Sequence, residues 1–289
     1  MPVSVIIPTL NGASVIEGQF EALAAQAGPS IGELLVADNG SSDNLAEVVH
    51  RWQDRLPIRI VDASATRGAQ HARNAAVRAA RFDLFAACDC DDVVGPEWVQ
   101  GMEESLQSHD LVTGPTDLSR LNPPWLPDCI TRGDPGVLRR PFSFGWLPYC
   151  VGANMGFTRR AWEAVGGFDP AITCLEDIDF SWSVQLAGFQ YHYDERALIH
   201  YRYNPKLRPT FRKVRHYGQW SVAINRKFQP RGMPVPAFSW RSYARRWWRA
   251  FWPGIKRVTT PGGRYVLVTD VANIIGNTEG MRRYKFRMG

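Results

Sequence analysis

Three carboxylates crowd into four residues where the sequence reads ACDCDDV: Asp89, Asp91 and Asp92 follow directly on the apolar run FDLFAA. Clustered like charges repel and want water or a cation, so packing alone does not explain their place at the end of a buried strand. Asp89 and Asp91 stand two residues apart, and extended backbone sends alternate side chains to the same side. Hard oxygen donors with coordination positions left over suit Mg2+ or Mn2+ bridging a diphosphate. A solvated acidic turn has the same composition, and the motif alone does not choose between the two.

The elements that must position these acids follow the tempo of a parallel α/β sheet. VSVIIPT, ELLVAD, IRIVDA and DLFAACD read as buried strands, and Val15 to Ala25, Ser42 to Arg55 and Arg67 to Ala80 read as the helices between them. GSSDN is a helix start signal, its hydroxyls and carboxylate able to accept from the first free amides. Polar residues fall at successive strand ends: Thr9 and Asn11, then Asp38 and Asn39, then the acidic cluster. That edge is where open α/β sheets bind ligands. Residues 115 to 148 hold seven prolines and read as a long, partly ordered loop able to cover a site. VGANMGFTRRAWEAVGGFD then reads as a strand, a helix and a glycine-stopped turn. LEDIDFSWSVQLAGF reads as a helix with Ile178, Trp182, Leu186 and Phe189 on its apolar side, and YHYDERALIHYRY as a strand.

With 289 residues, 45% hydrophobic and 12% aromatic, the chain has ample material for a globular core. Five scattered cysteines without a CxxC pair suggest neither a disulfide framework nor a zinc knuckle, and fit a reducing cytoplasm. MPVSVIIPTLNG lacks the basic region and cleavage site of a signal peptide, and no segment reaches the ~20 apolar residues of a membrane span. The net charge of +6 hides an asymmetry: residues 1–200 hold 26 acidic residues against 14 arginines and no lysine, whereas 201–289 hold 20 basic residues against Asp270 and Glu279. Two segments with different partners are expected.

Six ordered blocks, VSVIIPTLNG, ELLVADNGSSDN, TRGAQHARNAAVRAA, FAACDCDD, GANMGFTRRAWEAVGGFDP and LEDIDFSWSVQLAGF, resemble a family 2 glycosyltransferase of the GT-A fold over roughly residues 3 to 203. The resemblance implies a catalytic domain at 1–203, with a nucleotide-sugar-binding half at 1–114 and an acceptor-binding half at 115–203. A basic, tryptophan-rich, mainly helical extension at 204–289 follows. It also implies an inverting, metal-dependent transfer of a sugar from a nucleotide-diphospho-sugar (UDP, dTDP or GDP) to an acceptor hydroxyl. The QxxRW signature of processive synthases is missing, which argues for transfer of one or a few sugars.

Roles carry over at matching positions. Pro8, Thr9 and Asn11 are expected to line the base and ribose pocket, and Asp38 to accept from a pyrimidine N3–H; an Asx turn at DNGS is compatible with the same placement. Asn39 stands where the family often carries Asp. Gly68 is expected to allow close backbone approach, and Arg73 with Asn74 to face the nucleotide, a surface ion pair being the other reading of Arg73. Asp89 is expected beside ribose and metal, Asp91 as direct metal ligand and His200 as third ligand, whose imidazole favours Mn2+ over Mg2+. Without the family, a lone His in an aromatic strand reads as structural. Asp177 matches the general base that inversion requires, flanked by Glu176 and Asp179, which the helix dipole also favours. Glu176 and Asn154 are expected on the sugar and acceptor side, although a strand-end polar residue also describes Asn154.

Residues 206–257 interleave Arg and Lys with Trp, Phe and Tyr, which suits an anionic bilayer met by a peripheral protein at the inner face of the cell membrane. Intramolecular packing on the acidic domain is the second reading, and nucleic-acid binding, which shares the composition, is not expected. Two alternatives to the transferase remain: a sugar nucleotidyltransferase, whose glycine-rich, lysine-bearing loop is missing, and an inactive relative that binds nucleotide or glycan. Retention of Asp89, Asp91, Asp177 and His200 together speaks against the latter, because a binding module needs no base.

Overall fold

The computed structural model describes residues 1–28, 31–131, 137–138, 142–143, 145–235, 237–252 and 258–287. Pro135 and Pro141 of the proline-rich stretch, and residues 253–257 of the basic stretch, lie outside them. Two compact units emerge: Met1–Leu121 with Val137–Arg202, and Asn122–Gly136 with Tyr203–Gly289.

In the first unit, strands rich in Val, Ile, Leu and Phe are covered on both faces, except the edge strand at Ile58–Asp62, which leaves Ile60 37% exposed. β1 (Val3–Thr9), β2 (Glu33–Asp38), β3 (Ile58–Asp62) and β4 (Leu84–Cys88) alternate with α1 (Glu17–Ala24), α2 (Leu45–Arg51) and α3 (Ala69–Ala79). Successive side chains feed opposite cores. Val5, Ile7, Leu34, Val36 and Ala86 meet Phe20 and Val48 on one face, while Ile6, Leu35, Phe85 and Ala87 meet Ala72, Ala76 and Val77 on the other. After these come β5 (Val93–Val94), α4 (Trp98–Leu106), β6 (Leu111–Thr113) and β7 (Thr116–Asp117). The chain then visits the second unit as α5 (Trp125–Thr131) and returns as β8 (Val137–Leu138), β9 (Phe142–Ser143), β10 (Pro148–Tyr149), β11 (Asn154–Thr158), α6 (Arg159–Val165), α7 (Glu176–Leu186), β12 (Tyr191–Tyr193) and β13 (Ile199–His200).

The main sheet has the order β12-β6-β11-β4-β1-β2-β3, with β11 antiparallel to its neighbours β4 and β6. From β1 the chain moves outward to β2 and β3, then comes back to β4 on the other side. The β1–β4 gap is therefore a topological switch point, the crevice where such sheets bind ligands. Pairing between β1 and β4 ends at Ile6–Ala87. Pro8, which has no N–H to donate, lies just beyond that last pair, so the two strands part where the polar strand ends begin. A smaller sheet, β5-β13-β7-β8, sets His200 opposite both Val93 and Asp117.

Four local expectations are corrected. GSSDN does not cap α2, which begins at Leu45 after an Asn44 without a side-chain cap bond; Asp43 instead accepts from the Ala13 amide and Ser41 Oγ from the Asn11 amide. YHYDERALIHYRY is two strands in two sheets, because Asp194 turns the chain by accepting from the Arg196 amide. The proline-rich 115–148 region, expected as a long, partly ordered loop, carries α5 and four short strands among the described residues. On α7, Leu186 is 41% exposed, and Phe180 and Val184 join the core instead.

The second unit is helical: α8 (Leu207–Phe228), α9 (Trp240–Phe251) and α10 (Pro261–Tyr284), with α5 packed on α10. That packing groups residues 122–136 with the C-terminal unit, where the sequence reading keeps all of 115–203 together. α8 and α10 approach closely because glycine faces backbone: a Cβ on Gly276 would overlap the Arg215 carbonyl, and one on Gly280 would lie 2.7 Å from the Gln219 carbonyl oxygen. Arg215 clamps Glu279 across the pair with two bonds of 2.8 and 2.6 Å. No described helix is long and apolar enough to cross a membrane.

Candidate active site

At the parted strand ends, short polar side chains spend themselves on backbone. Asn11, with φ 54°, accepts from the Ser42 amide at 2.8 Å. Asp38 Oδ1 accepts from Gly40 and Ser41 amides at 3.1 and 2.8 Å, the Asx turn foreseen at this position. Asn39, buried, donates to the Ala63 and Thr66 carbonyls and accepts from the Gly68 amide at 2.7 Å. Its amide has the donor and acceptor needed to lock the loop before α3, and an aspartate would lack the donors. Thr9 is buried, its hydroxyl donating to the Ile7 carbonyl.

Gly68 opens α3 at φ 136° and ψ 143°, backbone that only glycine adopts without strain. Gly68→Ala is expected to cost about 1–3 kcal/mol. A thermal melt should register a fall of several degrees, and an unchanged melting temperature would mean that the loop relaxes freely.

Arg73 is the hub. Its side chain is only 3% exposed, yet it donates to Glu176 at 2.8 Å, to Asp89 at 3.2 Å and to the Gly152 carbonyl at 3.2 Å. One planar cation thus joins the acidic strand end of β4 to the first turn of α7. A Cβ on Gly152 would come within 2.6 Å of the guanidinium, so this approach needs glycine. The surface-pair reading of Arg73 is overturned by its burial, and Glu176 is an ion-pair partner of Arg73.

Asp177 follows at the start of α7, behind Leu175, which takes the left-handed conformation at φ 63°. A non-glycine residue held there costs energy that the surroundings must offset, a feature found where geometry serves chemistry. Asp177 Oδ2 accepts from the Gly152 amide and Oδ1 from the Ile178 amide, both at 2.9 Å. Burial and the adjacent Glu176 charge push its carboxyl up to about 6, against the lowering pull of those amides and Arg73. The result is a buried carboxylate, oriented by two fixed donors and basic enough to take a proton near neutral pH.

Asp89, Asp91 and Asp92 have carboxylate oxygens within 4.8 Å of one another, the one such group among the described residues. This donor set fits a hard divalent cation. Asp92 also accepts from the Arg202 amide at 2.7 Å while Arg202 Nε donates to the Asp91 carbonyl at 2.8 Å, a brace that sequence reading missed. Between the acids, burial pushes the Cys90 thiol up to about 12, which removes it from thiolate chemistry. His200 falls outside the acidic group; its Nδ1 lies 2.5 Å from Asp117 Oδ2. Burial works against the Asp117 charge, but bonds from Ser119 and His200 outweigh it and hold that carboxyl below its ordinary range. An ionised carboxylate only accepts, so Nδ1 donates to Asp117, and this bond fixes the ring with Nε2 turned to the opposite side, the orientation a carboxylate gives a metal-binding histidine. TDLS at 116–119 gives little sequence signal for that partner.

The amides of two expected pocket residues are held by the protein itself. Asn74 accepts from Trp162 Nε1 and the Phe168 amide and donates to the Phe168 carbonyl, so its amide pins α3 to the α6–α7 connection. Asn154 is fully buried, accepting from Trp98 Nε1 and donating to the Ala197 carbonyl, each at 2.8 Å.

Residues 4–166 match the family model described as glycosyl transferase family 2. The chain belongs to that family. This family 2 chain is 28% identical over 239 residues, 70% of its length, to the chondroitin synthase of Escherichia coli. It spans only 35% of that enzyme and 23% of the Pasteurella multocida chondroitin synthase. Its fold is GT-A: it resembles the Pyrobaculum calidifontis mannosyltransferase PcManGT, solved with GDP-Man and Mn2+, at a TM-score of 0.65 and 18% identity, covering 96% of this chain and 86% of that one. S. aureus TarS 1-349, solved with UDP, gives a TM-score of 0.55 at 16% identity, covering 99% and 91%.

Proposed function

We propose that the protein is an inverting, non-processive glycosyltransferase that moves a sugar from a nucleotide-diphospho-sugar to an acceptor hydroxyl. The observation that carries this reading is the constellation built on Arg73 and Gly152, in which Asp89, Glu176 and Asp177 share partners. The donors bound by PcManGT and TarS support a nucleotide-sugar here.

In this reading Pro8, Thr9, Asn11 and Asp38 border the base and ribose at the switch point, and Gly68 lets the backbone approach. Asp91 and Asp89 would hold Mn2+ or Mg2+, and His200, which lies outside their group in this structure, would approach to join them as third ligand. Bound there, the cation supplies Lewis-acid relief of the charge that builds on the leaving diphosphate. Arg73 keeps Asp89 oriented and screens the acids from one another. Asp177 takes the acceptor's proton as that oxygen attacks opposite the diphosphate, and Glu176, fixed by Arg73, borders the acceptor side. The acceptor class is a glycolipid, a polyprenyl-linked glycan or a small molecule, met at an anionic membrane surface through residues 206–257.

Calorimetric titration of UDP, dTDP and GDP, with and without Mn2+, tests the donor side. One nucleotide should bind tightly with Mn2+, and Asp91→Asn should weaken it at least tenfold while leaving the metal-free titration unchanged. Binding indifferent to both metal and Asp91 would remove the metal from the reading; no binding of any nucleotide would remove the donor.

A further inference from the structure

We infer that α9 alone is the membrane-docking element, an interfacial helix that lays an aromatic ridge into an anionic lipid surface. The inference rests on the membrane clause of the reading above and names the element and the lipid chemistry; it does not depend on the transfer step.

The basic stretch does not behave as one surface. α8 turns its apolar side inward, burying Trp220, Val222, Ile224 and Phe228. α9 does the reverse. Its inner side is small and polar: Ala250 is buried, Tyr243 hydrogen-bonds Thr278 at 2.9 Å, and Arg246 donates to Asn273 at 2.8 Å on α10. Outward, residues four apart form ridges. Trp240, Ala244, Trp248 and Trp252 make one, and the tryptophans are 73%, 53% and 70% exposed. Phe251, 57% exposed, stacks on Trp247 beside it, and Trp248 stacks on Trp252 at 4.9 Å. The next ridge is Arg241, Arg245 and Arg249, all exposed.

Exposed aromatics on this scale, contiguous and backed by cations, are not ordinary surface. Tryptophan favours the bilayer interface, with its ring among acyl carbons and its N–H near the headgroups. A row of arginines beside it meets lipid phosphates with bidentate donors. Charge complementarity picks an anionic bilayer over a neutral one: 20 basic residues stand against two acids from 201 onward, and Glu279 is already claimed by Arg215. Single-stranded nucleic acid also meets aromatics and arginine, but stacking platforms there sit in a groove that tracks the backbone, whereas these tryptophans stand 53–73% exposed along the outer side of one helix.

The test uses the full chain and sedimentation with vesicles of phosphatidylcholine, alone or mixed with phosphatidylglycerol. The protein should partition at least tenfold more strongly onto the mixed vesicles, and the preference should shrink at high salt. Replacing the ridge (Trp240→Ser, Trp248→Ser, Trp252→Ser) should lower partitioning at least tenfold. Replacing its neighbour (Arg241→Gln, Arg245→Gln, Arg249→Gln) should erase the preference for phosphatidylglycerol. Because these side chains are exposed, both variants should melt with the parent and bind donor nucleotide as it does. Failure of the parent to bind vesicles, variants that bind as the parent does, or a single-stranded RNA probe that displaces the protein from vesicles would each overturn the inference. Nucleotide titration on the same preparations separates the two readings: vesicle binding without nucleotide binding sinks the transferase alone.

Discussion

Asp177→Asn should lower kcat about a thousandfold, within the range general-base removal produces, while nucleotide affinity stays within a few-fold of the parent. The asymmetry follows from the geometry. Asp177 touches no residue proposed to border the base or ribose, and its bonds run to the amides of Gly152 and Ile178. An asparagine keeps one of these acceptors and turns an N–H on the other donor, a cost of about 1 kcal/mol. Losing a buried charge beside Glu176 works in the opposite direction, so the melting temperature should move by only a few degrees. Single-turnover assays with donor and acceptor read the chemical step directly. Turnover within tenfold of the parent would pass the role of base to another group.

The pH profile of the parent belongs to the same prediction. With the carboxyl pushed up to about 6 by burial and Glu176, the active, ionised form is lost as pH falls. Thus kcat/KM should be level above about pH 7 and drop with unit slope below about pH 6. Stability carries the opposite sign. The folded pKa exceeds the unfolded one, so the native state holds the proton longer and this group's contribution to stability falls as pH rises from about 4 to 6. A carboxylate that costs the fold energy at working pH is one kept for chemistry.

Near-continuous runs of Val, Ile, Leu and Phe made β1, β2 and β4 readable, since strands covered on both faces announce themselves by composition. Their polar ends were readable for the same reason: Thr9, Asp38 and Asp89 interrupt apolar runs. What each polar side chain does there was not readable. Asn74 and Asn154 match family positions as well as Asp177 does, yet their amides are consumed by Trp162, Phe168, Trp98 and Ala197. Those partners lie between 43 and 94 residues away in sequence, and no local pattern encodes them. The capping signal at GSSDN failed likewise, because a distant amide at Ala13 competed for Asp43. In the second unit the composition of 206–257 shows aromatics interleaved with cations without saying which helix keeps its aromatics outside. Burial, which decides that, is a property of packing.

Arg73→Met should destabilise the fold by about 3–5 kcal/mol, because it removes one side of a buried pair and leaves Asp89, Glu176 and the Gly152 carbonyl without their shared donor. Methionine fills similar space, so the loss isolates charge and hydrogen bonding from cavity formation. Against a native stability of roughly 5–15 kcal/mol, denaturant unfolding should show a clear fall in midpoint. A second signature separates positioning from mere folding. Arg73 pulls the Asp177 carboxyl down, so removing it should shift the acid limb of kcat/KM to higher pH. Arg73→Lys keeps the charge and three donors, but they radiate from one nitrogen and lack the planar fork that reaches Glu176 from one nitrogen and Asp89 from another. It should return the acid limb towards the parent's position while kcat stays depressed, since Asp89 and Glu176 would no longer be held by one rigid plane. A methionine variant that melts with the parent, or a lysine variant that restores kcat in full, would show that the guanidinium fork does not organise the site.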